Sequence, residues 1–200
     1  MNGRSVSFAR LCAFGGDMGK MGIAEIDHVK PSQIPGAARA MLEKGWFLET
    51  IACLDLREGI LINYFYAHYE KPGRMLVRTL VRQGEAEVPS IADIYQGAEW
   101  HEREAAELSG VRFAGNPNPL PLLLAEDEES HPLVRAFEDK KPASNIVDEF
   151  IRAECWPAFV SREEIEAAAA EAAKKAEEAS AAAEKAAKDK PASAAKEGAA

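Results

Sequence analysis

The stretch from Trp46 to Arg82, WFLETIACLDLREGILINYFYAHYEKPGRMLVRTLVR, decides the fold. Its apolar and aromatic residues alternate at the two-residue period of a β-strand that turns one face toward a core. Turn-forming residues interrupt the alternation at Glu58-Gly59 and at Lys71-Pro72-Gly73. The stretch therefore predicts three strands, 46–56, 60–69 and 75–81, that are joined by short turns as an antiparallel meander.

A helix is predicted just before the meander. Pro31 and Ser32 suit its first turn, and Gly45 suits the position after its end near Lys44. Its apolar residues recur every three to four positions, at Ile34, Ala37, Ala38, Met41 and Leu42. A helix with one apolar side that covers one face of an antiparallel meander indicates an α+β fold.

The chain after the meander changes character. Ser90 is expected to cap a short helix over 91–95, a second helix is expected over 98–109 before Gly110, and a short strand over 111–113. Residues 115–125, called the strap below, contain three prolines that exclude regular structure, yet Leu120 to Leu124 is apolar. Such a segment is expected to lie along a surface, either its own or a partner's.

Four regions follow from these patterns. Residues 1–29 are a poorly defined N-terminal segment, in which GGDMGKMG (15–22) lacks P-loop spacing and is interpreted as a flexible connector. Residues 30–113 form the α+β domain, and 114–160 form an extended, partner-wrapping segment with a short helix at 144–153. Residues 161–200 are a low-complexity Ala/Glu/Lys tail that is helical or disordered and adds solubility.

Composition excludes several classes of protein. The chain has 200 residues and a net charge of −9, which argues against nucleic-acid binding. No apolar run approaches the roughly 20 residues of a membrane-spanning helix. Cys12, Cys53 and Cys155 are far apart, so we expect neither a disulfide framework nor a metal or cluster site, and a reducing cytoplasmic compartment fits best.

The stretch from Trp100 to Gly110, WHEREAAELSG, carries the most chemical information. On a helical wheel, Glu104 and Glu107 share a face with Trp100 and Leu108. Buried carboxylates need cationic or hydrogen-bonding partners. Arg103 can reach Glu107 within the helix, whereas the partner of Glu104 must come from elsewhere. Three hypotheses stay open: a structural ion-pair cluster, an interface with another chain, and a catalytic acid/base pair.

This stretch and its flanks resemble a known family, the thirty-kilodalton subunit of the proton-pumping NADH:quinone oxidoreductase, complex I. The family pattern is about W-x-E-R-E-x-x-D-L-F-G-I-x-F followed by G-H-P. This chain matches it in register at Trp100, Glu102-Arg103-Glu104, Leu108, Gly110 and Phe113. It departs from it with Glu107 for Asp, Ser109 for Phe and Asn116 for His. The resemblance covers about residues 46–137, where His131 to Arg135 is similar to a later P-L-R motif.

The resemblance implies a non-catalytic scaffold subunit in the peripheral arm of a membrane-bound, proton-translocating oxidoreductase. It implies no cofactor in this chain, with NAD, quinone, iron–sulfur clusters or a NiFe centre held by partner subunits. The implied partners are a large subunit of the forty-nine-kilodalton type and a neighbouring iron–sulfur subunit. The chain would then lie on the cytoplasmic face of the cell membrane and contact the membrane only through them.

Other functions remain open at this point. The corresponding subunit of an energy-converting NiFe hydrogenase is the first alternative, because this family has relatives there. A free-standing enzyme that uses Glu102, Glu104 and His101 as acid/base groups is a second, and a homo-oligomeric binding module is a third. We expect no catalytic or metal-ligating residue in the chain. The expected interface or structural residues are Trp100, Glu102, Arg103, Glu104, Glu107, Phe113, Pro117, Leu120, Leu122 and Arg135.

Overall fold

A computed structural model describes residues 9–84, 86–125, 127–128, 130–143 and 146. The elements in these residues are β1 (Arg10–Gly15), β2 (Ile23–Val29), α1 (Ile34–Glu43), β3 (Phe47–Leu56), β4 (Gly59–Ala67), β5 (Arg74–Val81), β6 (Glu87–Pro89), α2 (Ala98–Ser109) and β7 (Arg112–Ala114). Short 3-10 turns lie at Pro31–Gln33 and Phe137–Asp139. None of the described helices is long and apolar enough to cross a membrane.

The main sheet has five strands in the order β1-β2-β5-β4-β3. β3, β4 and β5 pair antiparallel in sequence order, which confirms the predicted meander. β2 pairs parallel with β5. The connection through α1 places β3 at the far edge of the sheet from β1. The meander then runs back toward β2, so that its last strand, β5, lies next to β2. The predicted α+β class is confirmed.

Two strands that the sequence did not predict lie within residues 10–29. β1 pairs antiparallel with β2, and the glycine-rich stretch between them makes the connecting turn. In that turn the Asp17 carboxylate accepts a hydrogen bond from the Lys20 amide at 2.9 Å. A Cβ on Gly16 would lie 2.3 Å from the carbonyl oxygen of Ile23, so the close approach of these two backbone segments requires glycine at position 16.

The main core lies between one face of the sheet and the two helices α1 and α2. The apolar side of α1 packs Ala37, Ala38 and Met41 against the residues of β4 that alternate toward it, Ile60, Ile62, Tyr64 and Tyr66. Alanines at the contact let the helix approach the large side chains of the sheet closely. The alternate residues of β4 and β5, Leu61 and Leu80, form a smaller cluster on the opposite face with Leu56 and Ala143. The helix predicted to end near Lys44 is confirmed.

The other predictions had different outcomes. α2 ends at Gly110, whose φ of +72° is the left-handed cap that the sequence predicted. Residues 91–95 form a turn, not the predicted short helix. The expected strand at 111–113 is β7, parallel to β6. Cys12 is disulfide-bonded, so the expectation of no disulfide is wrong for it. The predicted helix at 144–153, apart from Ile146, and the tail lie outside the described residues.

Candidate interaction site

α2 places the charged family motif in two different environments. It runs from Ala98 to Ser109 and buries Ala98, Glu102, Ala105 and Glu107, whereas Trp100 is 62% exposed and Glu104 is exposed. The wheel prediction that Glu107 lies on the same face as Trp100 and Glu104 agrees with this regular helix, but the strap covers Glu107 and leaves Trp100 and Glu104 exposed. The inner side of this helix consists of Ala98, Glu102, Ala105 and Ser109, and Trp100 lies on the opposite side.

Glu102 is the hub of the inner side. Its carboxylate accepts hydrogen bonds from the Ser90 hydroxyl at 2.6 Å, the Ile91 amide at 2.7 Å and the Asn116 side-chain amide at 2.8 Å. Burial raises the pKa of the Glu102 carboxyl, while these three donors lower it. Glu102 thus joins α2 to the chain after β6 and to the start of the strap, and it does so with neutral donors.

Glu107 holds the strap through the main chain. Its carboxylate accepts hydrogen bonds from the backbone amides of Leu122 at 2.7 Å, Leu123 at 2.9 Å and Leu124 at 3.3 Å. A buried carboxylate can be stabilised by several backbone donors without a cation. Glu107 is 9% exposed and finds its partners here. The expected ion pair between Glu107 and Arg103 is not needed.

Arg103 complements Glu107 from one turn earlier. Its guanidinium donates from Nε to the carbonyl of Leu120 at 2.8 Å and from a terminal nitrogen to the carbonyl of Pro121 at 2.7 Å. The hypothesis of a structural ion-pair cluster around Arg103 is therefore wrong. Arg103 and Glu107 instead bind different groups of the strap backbone. Arg103 binds its carbonyls, and Glu107 binds its amides.

Glu104 does not have the buried partner that the sequence predicted. The side chain is exposed, and among the described residues no group donates a hydrogen bond or forms an ion pair with it. The error came from treating Trp100 and Leu108 as inward-facing because they are apolar. Glu104 and Trp100 instead share an outer surface that the rest of the described chain leaves open.

The remaining predicted site residues are distributed over the fold. Phe113 lies in the main core and is 7% exposed, so its place is structural. Pro117 is exposed, Leu120 is 62% exposed and Leu122 is half-buried. Arg135 is exposed, and its backbone amide donates to the Asp55 carboxylate at 2.8 Å. The strap was expected to lie along this chain or a partner, and its backbone lies on α2 of this chain.

Sequence reasoning missed a buried charged cluster at the end of β3. The Lys140 ammonium lies 2.9 Å from the Asp55 carboxylate, and their side chains are 4% and 3% exposed. Lys140 also donates to the Gln83 side chain. The cluster fixes residues 135–143 against the sheet. An Asp between two leucines of a strand was the one available signal, and nothing local to Lys140 indicated burial.

A cavity of about 260 Å³ lies beside α2 and β7. Glu102, Arg103, Phe113, Asn116 and His131 contribute to its wall, while the Nδ1 of His131 donates to the carbonyl of Glu107 at 2.7 Å. In the part of the chain that the structure describes, no group of three His, Cys, Asp or Glu side chains could hold a metal ion. Glu102, one of the three acid/base candidates, accepts hydrogen bonds from three donors of its own chain.

Comparison with known proteins then identifies the family. A family model described as "Respiratory-chain NADH dehydrogenase, 30 Kd subunit" matches residues 28–143, more than half of the chain. The chain belongs to this family. The matched range includes the motif from Trp100 to Phe113 and the whole strap, so the predicted resemblance is confirmed.

Curated members of the family are similar over this region. NAD(P)H-quinone oxidoreductase subunit J of Synechococcus sp. (strain RCC307) is 32% identical over 113 residues, which cover 52% of this chain and 64% of that protein. The organellar chromatophore subunit J of Paulinella chromatophora is 30% identical over 133 residues, which cover 56% of this chain and 69% of that protein. The chain thus spans slightly less than two thirds of the first relative and slightly more than two thirds of the second.

A solved structure supports the fold. A chain in the structure of the membrane-bound sulfane sulfur reductase, an archaeal respiratory membrane complex, matches with a TM-score of 0.51 at 21% identity. The match covers 75% of this chain and 85% of that one. At this identity the likeness shows the shared fold and no more.

The departures from the family motif are accommodated in the structure. Glu107, in place of Asp, reaches the strap amides. Asn116, in place of His, donates to Glu102. Ser109, in place of Phe, is buried near Cys53, and burial raises the pKa of the Cys53 thiol to about 12. Glu107 and Asn116 therefore have defined hydrogen-bond partners within the family fold.

Proposed function

We propose that this chain is a non-catalytic subunit of the peripheral arm of a membrane-bound, proton-translocating NADH:quinone oxidoreductase. The family match over residues 28–143 carries the proposal. The arrangement of α2 supports it, because Glu102 and Glu107 hold neighbouring segments of the chain in place and do not converge on a reacting group. In this role the chain shapes and joins other subunits.

The proposed partners are a large subunit of the forty-nine-kilodalton type and a neighbouring iron–sulfur subunit. NAD, quinone and iron–sulfur clusters belong to those partners in this proposal, and this chain holds no cofactor of its own. Its contact with the membrane is indirect, at the cytoplasmic face. Outward-facing Trp100, Leu120 and Leu123 are the kind of apolar surface that an interface between subunits covers.

Co-expression tests the proposal. The full chain, tagged, is produced with the large subunit of that type encoded in the same genome, and the two are purified by the tag and then by size. Co-elution at a fixed stoichiometry is the expected result. A chain that elutes alone as a stable monomer, with the large subunit soluble in a separate fraction, would contradict it.

The same experiment separates the proposal from the hydrogenase alternative. A native preparation of the tagged chain from its own cells would contain a large subunit, whose sequence is read by mass spectrometry. A large subunit without paired CxxC motifs supports the quinone reductase. One with two such motifs, together with nickel, supports the hydrogenase, which the names of the similar curated proteins do not favour.

A further inference from the structure

Residues 120–124 of the strap are held on α2 through their backbone, while the side chain of Asn116 joins the start of the strap to Glu102. Arg103 binds the carbonyls of Leu120 and Pro121, and Glu107 binds the amides of Leu122 to Leu124. Because Arg103 precedes Glu107 by one helical turn, the strap runs along α2 in the same direction as the helix. A segment held in this way keeps its shape whatever side chains it carries.

The strap side chains consequently point away from the helix at two positions. Leu120 is 62% exposed and Leu123 is 66% exposed. Trp100, also 62% exposed, lies one turn before Arg103 on the same helix, beside the point where the strap begins to follow it. Exposed Glu104 lies between Trp100 and Glu107 in sequence and adds a carboxylate to this surface.

We propose that Trp100, Leu120 and Leu123 form one preformed docking surface for the large subunit, with Glu104 at its edge and with Arg103 and Glu107 as its positioning residues. The inference rests on the proposed function and specifies which surface performs it. The occupant is expected to present an apolar groove beside at least one Arg or Lys that pairs with Glu104, which has no partner among the described residues.

Charge argues against a second copy of this chain as the occupant. Two copies related by a two-fold axis would bring the same surface, which carries the unpaired carboxylate of Glu104, against itself. The chain as a whole carries a net charge of −9, which adds to the repulsion. A partner with complementary positive charge meets neither obstacle.

The fixed shape of the strap has a consequence for the free energy of binding. A strap that is already shaped before binding loses little conformational entropy when the partner arrives, whereas a mobile strap would lose much of it. Arg103→Ala is therefore expected to weaken binding through the strap, although Arg103 itself does not belong to the apolar surface. Arg103→Lys restores a cation but cannot donate to both carbonyls in the same planar arrangement, so partial rescue is expected.

The first experiment uses the full chain without a partner. Hydrogen exchange of the Leu122, Leu123 and Leu124 amides is measured by NMR in the wild type, in Arg103→Ala and in Glu107→Ala. We expect clear protection in the wild type, faster exchange in Arg103→Ala and the fastest in Glu107→Ala. Free exchange of these amides in the wild type would overturn the preformed strap and leave the proposed function intact.

The second experiment measures affinity for the purified large subunit. Leu123→Asp and Leu120→Asp are each expected to weaken binding about tenfold or more, because they place a charge within an apolar contact. Leu42→Asp is the matched control, since Leu42 is a 48% exposed leucine on α1, and it is expected to bind like the wild type. Retained protection of the strap amides in each variant shows that the fold is intact.

Charge reversal tests the edge of the surface. Glu104→Lys is expected to lose more affinity than Glu104→Gln, and exposed Glu70→Lys is the control. Equal binding by wild type and Leu123→Asp would overturn the docking surface, even if wild-type binding upholds the proposed function. Light scattering that shows a wild-type dimer dissociated by Leu123→Asp would assign the surface to a second copy and overturn the inference.

Discussion

At the residue scale, Glu102 shows how this chain uses an acid without chemistry. A hydroxyl, a backbone amide and a side-chain amide all donate to one buried carboxylate. These donors come from the chain after β6 and from the start of the strap, so the acid joins those segments to α2. A group of this kind stabilises the fold only while it accepts from every donor, because a buried donor without an acceptor is costly.

Replacing Glu102 by Gln tests this arrangement. The amide nitrogen of Gln would face one of the three donors, and we expect a loss of about 1–3 kcal/mol in the free energy of unfolding at pH 7. Glu104→Gln, the same change on the exposed side of the same helix, is the control and is expected to change stability by less than about 0.5 kcal/mol. Urea unfolding followed by circular dichroism measures both, and equal stabilities would contradict the role of Glu102.

At the element scale, α2 shows what local pattern can and cannot predict. Its bounds were predictable because helix-forming residues and a terminal glycine act locally. Its orientation was not, because Ala105 and Glu102 face inward only by virtue of β3, the end of β6 and the strap, which are distant in sequence. β1 and β2 were missed for a similar reason, since the charged positions Glu25 and Asp27 obscure the alternation of β2.

The contacts of Arg103 and Glu107 with the strap give a prediction at this scale. Arg103 is half-buried and its partners are solvent-accessible carbonyls, so Arg103→Ala is expected to cost less than about 1 kcal/mol of stability. Glu107→Ala leaves three backbone amides without their acceptor and is expected to cost about 1–3 kcal/mol. Thermal or urea unfolding of the two variants side by side measures the difference, and a larger loss for Arg103→Ala would contradict the expected order.

β2 carries two neighbouring groups whose protonation acts on stability in opposite directions. Burial raises the pKa of the Asp27 carboxyl from 3.8 to about 6, although Arg10 lies 3.2 Å away and lowers it. Burial, followed by the charge of Arg78, lowers the pKa of His28 from 6.5 to about 4. As pH rises from 4 to 6, folded Asp27 keeps a proton that the unfolded chain releases, so stability falls. Over the same range His28 binds its proton only when unfolded, so stability rises.

The effects of Asp27 and His28 on the pH dependence of stability should therefore largely cancel in the wild type, and single variants should reveal each of them. Asp27→Asn is expected to make stability rise with pH between 4 and 6, and to be more stable than the wild type at pH 8 by up to about 3 kcal/mol. His28→Gln is expected to make stability fall over the same range. Glu25→Gln, which also contacts Arg10 but is half-exposed, serves as the control. Urea midpoints at several pH values measure the slopes, and parallel curves for all four proteins would contradict the assignment.

At the scale of the whole molecule, the fold is built outward from the meander. The α+β class, α1 and the three central strands were predictable because hydrophobic period and turn residues determine them locally. The path of the chain after Phe113 was not, because it is determined by side-chain contacts to main-chain groups, such as Glu107 with the strap and Asp55 with the Arg135 amide. Function was predictable through the motif, while the way its acids act required the structure.

The pair of Lys140 and Asp55 decides whether the chain after the strap stays attached to the sheet. Both side chains are almost fully buried, so removing one leaves the other as an uncompensated charge, and Lys140→Met is expected to cost about 3–5 kcal/mol. The double variant Asp55→Asn with Lys140→Met removes both charges and should recover much of that loss, because the buried ion pair itself adds little net stability. Urea unfolding of the single and double variants measures this. A double variant as unstable as Lys140→Met would mean that the pair, and not the burial of a lone charge, holds residues 135–143 in place.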